Sequence, residues 1–276
     1  MPGRTSPDPT YVMGHSAEER ERLIQQAGLF GPITERFLRT AGIAPGMRVL
    51  DVGCGVGDVT LLCANLVGPE GAVVGVDRDP AALARARERV QAAGLEHVEL
   101  REGDFRELAF AEPFDGVVGR AVLMYAADPV AAIRALLPHL RQGGIVAFQE
   151  FDFTSLGAVP QSDLFDQIAD WWRRTATQAG VELQMGLKLY SAYRTAGLPD
   201  PDLQADTIVG GGPNFGGYAY LAGVIRSVLP LMERFGVATA AEVGIDTLAD
   251  RMRAEIVSSG GVLPLQMIVG AAARKP

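Results

Sequence analysis

From residue 47 to residue 150 the chain alternates short apolar runs with helical stretches, and that rhythm constrains its fold more than any other feature. Apolar runs at 47–52, 72–77, 97–101, 114–119 and 145–150 predict strands. Helical patterns at 58–67, 80–93 and 128–140 fall between them. Two helix starts are well marked: Asp79-Pro80 and Asp128-Pro129 each set an N-cap carboxylate before a proline, whose missing N–H does no harm in a first turn. Gly68, Gly94 and Gly143 stand where these helices should stop. Strand alternating with helix at this spacing specifies an α/β fold with a parallel sheet covered on both faces, because a parallel crossover needs a connection of helix length.

The flanks read differently. Residues 1–10 carry three prolines and little apolar content, so they predict a loose tail. A capping-box pattern at Ser16-Ala17-Glu18-Glu19 opens a helix that Gly28 would close, with Leu23 and Ile24 on one side. A second helix fits 32–41, with Pro32 in its first turn and Gly42 behind it. Beyond the sheet, helices fit 162–179 and 187–196, and a strand fits 202–209. Then "GGGPNFGGYAY" (210–220) breaks the pattern. A mostly helical stretch follows, with a capping box at Thr239-Glu242 and Asp246 placed to cap the next helix, before a final strand at 262–273. On the helix at 162–179, Leu164, Ile168, Trp171 and Thr175 form a core stripe, and either Trp171 or Trp172 is placed to reach a pocket.

Bulk properties exclude some functions. A net charge of −8 argues against sequence-independent nucleic-acid binding, which needs a basic face to displace phosphate counterions. No apolar stretch is long enough to predict a membrane span, and MPGRTSPDPT lacks the apolar core of a signal peptide, so the expected location is the cytoplasm. Cys54 and Cys63, nine residues apart in one loop-helix unit, are expected to stay reduced.

The first strand runs into "VLDVGCGVGDVT" (49–60), which ends on Asp51 and passes through Gly53, Gly55 and Gly57. In an open parallel sheet ligands bind beyond the carboxyl ends of the strands, and glycines there let a ligand approach bare backbone. A dinucleotide fold would use G-x-G-x-x-G with a pyrophosphate at the helix start. Here the spacing is G-x-G-x-G, and Asp58 sets a carboxylate where a pyrophosphate would be repelled. That favours a ligand without phosphates. The second strand, "GAVVGVDRD", ends at Asp77, twenty residues past Gly57, where a carboxylate can accept from both ribose hydroxyls. The third, "VELREGDF", brings Asp104 and Phe105 to the same edge, suited to an adenine amino group and an adenine face.

Five ordered stretches, "VLDVGCGVGD", "VVGVDRDP", "LREGDF", "FDGVVGRAVLMYAADP" and "LRQGGIVAFQE", resemble the class I S-adenosylmethionine (SAM)-dependent methyltransferases. The chain looks most like the small-molecule branch of bacterial metabolism, including the ubiquinone-methyltransferase-like enzymes. The resemblance covers about residues 30–150 closely and the last strand weakly. It implies a Rossmann-like seven-stranded sheet with helices on both faces and the last strand inserted antiparallel. It further implies that Asp51 and Gly53 face the methionine part, Asp77 and Arg78 the ribose, and Asp104 and Phe105 the adenine. Arg120 would offer its backbone carbonyl to the methionine ammonium. On this basis residues 1–46 form an N-terminal helical lid segment, 47–209 with 262–276 the SAM-binding core, and 210–261 a helical cap for the acceptor. Tyr11 and His15 would belong to the lid over SAM, and Gly55 to the cofactor loop.

Methyl transfer from a sulfonium needs its acceptor held in line, and needs a base only where the acceptor must lose a proton. Candidates for that base are His15, Tyr125, Glu150 and Asp152. No His/Cys cluster has zinc spacing, and no metal is expected. Aromatic residues over 187–260 (Tyr190, Tyr193, Phe215, Tyr218, Tyr220, Phe235) point to a largely apolar small-molecule acceptor. A second reading keeps the fold but holds SAM without transfer, as in a binding protein or cyclase; an NAD-dependent oxidoreductase is the weaker third. Nothing in the sequence sets the oligomeric state.

Overall fold

A computed structural model describes residues 17–154 and 156–276; Tyr11, His15 and Ser16 lie outside them. The first element is one helix, α1 (Ala17–Ala41), where the sequence predicts two. Pro32 inside it removes one ladder hydrogen bond and crowds the Gly28 carbonyl. Packing overrides that local penalty, since Phe30, Phe37 and Leu38 on either side of Pro32 are all buried. The helix stops as expected at Gly42 (φ 98°), with the Ile43 N–H bonding back to the Leu38 carbonyl at 3.0 Å.

β1 (Arg48–Val52), α2 (Asp58–Val67), β2 (Ala72–Asp77), α3 (Pro80–Ala92), β3 (Val98–Glu102), β4 (Phe114–Arg120) and α4 (Pro129–Leu136) follow in the expected order. Asp79 and Asp128 cap α3 and α4, accepting from Ala81 N and Ala131 N, each at 2.9 Å. Helix α4 stops earlier than expected. Leu137–His139 tighten to a 3-10 turn around Pro138, and β5 (Leu140–Asp152) begins at once. Gly143 (φ 70°) therefore sits in an irregularity early in β5, where the register to β4 shifts, and closes no helix.

The second half comprises α5 (Asp163–Gln178), α6 (Met185–Ala196), β6 (Asp202–Asp206), β7 (Val209–Gly210), α7 (Gly217–Arg234), α8 (Ala240–Val243), α9 (Leu248–Ser258), β8 (Leu263–Pro264) and β9 (Met267–Arg274). The strands expected at 202–209 and 262–273 are both interrupted, and at the same level. Thr207-Ile208 and Leu265-Gln266 leave the sheet together, tied by Leu265 N–H to Ile208 O and by the Thr207 hydroxyl to Leu265 O, both at 2.8 Å. β7 and β8 pair separately. The Thr239–Glu242 capping box forms. Asp246 caps nothing: it falls in a 3-10 turn before α9 and pairs with Arg226 at 2.9 Å.

The main sheet has the order β3-β2-β1-β4-β5-β9-β6. Strands β1 to β5 are parallel, and β9 runs antiparallel between β5 and β6. Alternate residues feed two layers, as expected of strands covered on both faces. Val49 joins Phe37, Cys63 and Val73 in one layer, and Leu50 joins Val74, Val117 and Phe148 in the other. Both cysteines are buried and unbridged. No helix among the described residues is long and apolar enough to cross a membrane.

Candidate active site

The strand order reverses between β1 and β4, so a crevice opens beyond their carboxyl ends. A cavity of about 690 Å³ fills it. Its base is the glycine loop, where Gly53, Gly55 and Gly57 have φ of 63°, 53° and 85°. The loop is drawn over the end of β2: Cys54 N–H bonds Val76 O at 3.0 Å, and Gly55 N–H bonds the Asp77 carboxylate at 2.7 Å. Asp77 also accepts from Asp79 N at 2.9 Å and lines the cavity. Burial pushes its pKa up, against the pull of those two amides. A Cβ built on Gly53 would stand 2.7 Å from Val122 Cγ2, so the loop admits only bare backbone there.

Asp58 borders the cavity at the start of α2, where it accepts from Arg89 at 2.5 Å and lies 3.6 Å from Arg120 Nη2. The start of the helix is thus already occupied by a carboxylate, as the sequence implies. The Arg120 side chain is buried, lines the cavity and donates to the Thr34 hydroxyl at 3.1 Å. Burial lowers its pKa, while Asp58 and Asp51 oppose that shift.

Of the residues expected at the site, Gly53, Gly55, Asp77, Arg78, Phe105, Arg120 and Tyr125 meet at this one cavity. Four others do not line it. Asp51 lies behind the loop, accepting from the Thr60 hydroxyl at 2.6 Å. Asp104 is held in ion pairs with Arg78 and Arg106, which themselves line the cavity. Partial burial pulls its carboxyl upward, but hydrogen bonds from Arg106 and Arg78 outweigh this and hold it at about 2. Glu150, fully buried, accepts from Val122 N at 3.0 Å, Leu123 N at 2.8 Å and Met124 N at 3.2 Å. It is a clamp on the loop that carries Tyr125. Asp152 turns to the Thr154 amide and hydroxyl. Among the described residues, no three His, Cys, Asp or Glu side chains are grouped so as to hold a metal.

The opposite wall is apolar, and little of it was expected. Phe151 comes from the end of β5 and Phe153 from just past it, Phe165, Ile168 and Trp172 from α5, and Leu221 and Ile225 from α7. Arg22, Leu23 and Gln26 of α1 close one side. Of the aromatic residues singled out over 187–260, only Tyr220 lines the cavity. Tyr193 is buried under the sheet with its hydroxyl on Ala271 O at 2.7 Å, Tyr218 bonds Gly211 O at 3.0 Å, and Tyr190 is exposed. Period two in β5 was the available signal: Glu150 and Asp152 share one face, Phe151 and Phe153 the other.

Asp51 gives a signed pH dependence. Burial pushes its carboxyl up to about 7, against the Thr60 hydrogen bond and the Arg120 charge. A carboxyl whose pKa is raised on folding stabilises the fold fully below its unfolded value, near 4, and loses that contribution as pH rises through 7. Asp51→Asn cannot ionise, so its stability should gain on the parent's as pH goes from 5 to 8, by roughly 2.6 kcal/mol at most, and its Tm should rise relative to the parent's over that range. Parallel Tm–pH curves for the two proteins would show that folding does not raise the Asp51 carboxyl.

A glycine cradle, a carboxylate at the ribose position, an acidic helix start and an apolar far wall suit an adenosine ligand without phosphates, and they fit SAM. A seven-stranded sheet with an antiparallel insertion and this cavity define the class I methyltransferase fold. Comparison with known proteins agrees. A family model described as a methyltransferase domain matches residues 43–197, more than half of the chain, and the chain belongs to that family. The aklanonic acid methyltransferase DauC of a Streptomyces species is 31% identical over 180 residues, covering 60% of this chain and 80% of that protein. A demethylmenaquinone methyltransferase of Bacillus cytotoxicus is 38% identical over 110 residues, covering 40% of this chain and 46% of that protein, so the chain spans less than half that relative's length. The YcgJ protein of Bacillus subtilis shares the fold, with a TM-score of 0.57 at 18% identity over 88% of this chain and 98% of that one. SAM is the cofactor of this class and of this chain.

Proposed function

We propose that this protein transfers the methyl group of SAM to a small, largely apolar molecule of secondary metabolism. One observation carries the reading: a single cavity joins the glycine loop and Asp77 to a wall of Phe151, Phe153, Phe165 and Trp172. A donor held on the first side and an acceptor on the second would meet with no water-filled gap between. The names of the relatives, which act on aklanonic acid and on demethylmenaquinone, support an acceptor of this kind.

When bound, SAM supplies a methyl group already activated by the sulfonium charge. The chain's part is placement, which can supply much of the rate. Asp77 would take the ribose hydroxyls, Phe105 with Arg78 and Arg106 would enclose the adenine, and the Arg120 carbonyl would take the ammonium. Glu150 holds the 122–124 backbone rigid beside the reacting centre. Residues of α1, α5 and α7 exclude water around the acceptor. The residues 1–46 and 210–261 act as lid and cap, with α5 sharing the cap's role. The experiment is incubation with SAM and a library of small aromatic, polyketide and terpenoid acceptors, followed by mass spectrometry for methyl gain and by NMR of any product to locate the methyl on carbon, oxygen or nitrogen. A product heavier by one methylene supports the proposal; no product across the library, with SAM bound throughout, favours the non-catalytic reading.

A further inference from the structure

The turn that follows β4 holds one residue against its own backbone preference. Ala121 has φ 55°, and every other described residue at positive φ is a glycine. An alanine in that region is disfavoured by about five- to thirtyfold in population. Such a conformation persists only where its surroundings impose it, and it clusters at functional sites.

Two contacts impose it here. On the strand side, the Ala121 N–H extends the β4–β5 ladder by bonding Gln149 O at 2.8 Å. On the other side a short 3-10 turn, Leu123–Tyr125, begins with Val122, which has no side chain able to cap it. A serine, threonine or aspartate beside such a start ordinarily meets its amides. In this protein the cap comes from Glu150 on β5. One of its carboxylate oxygens takes the Val122 and Leu123 amides, and the other takes Met124. Burying a carboxylate costs free energy even when it is bonded, and a cap within the turn would satisfy the same amides without that cost. What Glu150 adds is position.

Position matters because the turn faces the glycine loop. Ala121, Val122 and Tyr125 line the cavity. Val122 Cγ2 stands so near Gly53 that a Cβ there would be 2.7 Å away. The loop after β1 and the turn after β4 therefore meet through Val122, and the left-handed step immediately before it sets where that side chain goes. Resting on the methyltransferase reading, we propose that Glu150 is a positioning residue for the cofactor. Its carboxylate holds Ala121 left-handed, and through Val122 this fixes the spacing between the turn and the glycine loop where SAM lies.

The test is calorimetric titration of the full chain with S-adenosylhomocysteine at pH 8, above the value of about 7 to which burial raises the Glu150 carboxyl. Glu150→Gln keeps the size but replaces one acceptor oxygen by a donor, and it should weaken binding about tenfold. In an Ala121→Gly background the left-handed conformation carries no such cost, and the same substitution should weaken binding by less than about threefold. This rescue separates positioning from plain support of the fold: if Glu150 only held the structure together, a glycine would loosen the turn and deepen the loss. Glu150→Asp, which withdraws the carboxylate by one methylene, should show the same rescue and serves if Glu150→Gln does not fold. The proposal is overturned if the substitution leaves binding unchanged, or if the loss is as large with glycine at 121 as with alanine. It is also overturned if neither substitution folds, since Glu150 would then support the whole fold. Failure of the parent to bind S-adenosylhomocysteine would instead contradict the methyltransferase reading itself.

Discussion

Gly53→Ala should weaken S-adenosylhomocysteine binding by about a hundredfold, close to 3 kcal/mol. Two costs combine. Gly53 has φ 63°, a conformation that an L residue adopts at a cost of about 1–2 kcal/mol. Its new Cβ would also stand 2.7 Å from Val122 Cγ2, and overpacking of that kind costs about 1–3 kcal/mol. Val122 cannot step aside freely, because Glu150 holds its amide and the two that follow. The strain should therefore pass into the loop that cradles the cofactor. Calorimetric titration of parent and variant reads the effect. An affinity within threefold of the parent would mean that the ligand does not lie against this loop.

Deletion of residues 1–28 should lower S-adenosylhomocysteine affinity more than tenfold and leave the circular dichroism of the sheet near native. Arg22, Leu23 and Gln26 wall the cavity, so their loss opens it to water. What remains of α1 keeps its own anchors, Phe30, Phe37 and Leu38. Pro32, awkward in mid-helix, would then lie in a first turn, where proline is favoured. In the intact protein, amide exchange over 22–27 should slow when S-adenosylhomocysteine is added, since segments that close over ligands come from the less stable part of a fold. A truncated protein that binds as tightly as the full chain would remove the N-terminal segment from the site.

The parts of this structure legible in the sequence are those set by short-range rules. Asp79-Pro80, Asp128-Pro129 and the Thr239–Glu242 box are complete signals within four residues, and each forms the cap its sequence implies. The glycine loop and Asp77 are legible for the same reason, since strand ends in a parallel sheet all emerge at one edge. Long-range packing decides the rest. Gly28 and Pro32 look like a helix break, yet three buried side chains carry α1 straight through. Glu150 looks like a base at a strand end, but whether a strand-end carboxylate meets ligand or backbone depends on which face of β5 the cavity adjoins. Asp104 follows its strand correctly and is then captured by Arg78 and Arg106, a contact fixed by side-chain reach. Gln266 gives no local signal, because its place follows from two strands breaking at the same level.

The cavity beyond β1 and β2 should take SAM and not a dinucleotide. Parallel calorimetric titrations of the full chain with S-adenosylhomocysteine and with NAD test it most directly. Saturable binding of S-adenosylhomocysteine at one site, with no heat from NAD at the same concentrations, is the result predicted by the three positive-φ glycines, Asp77 and the carboxylate of Asp58 at the helix start. Binding of NAD without binding of S-adenosylhomocysteine would contradict it.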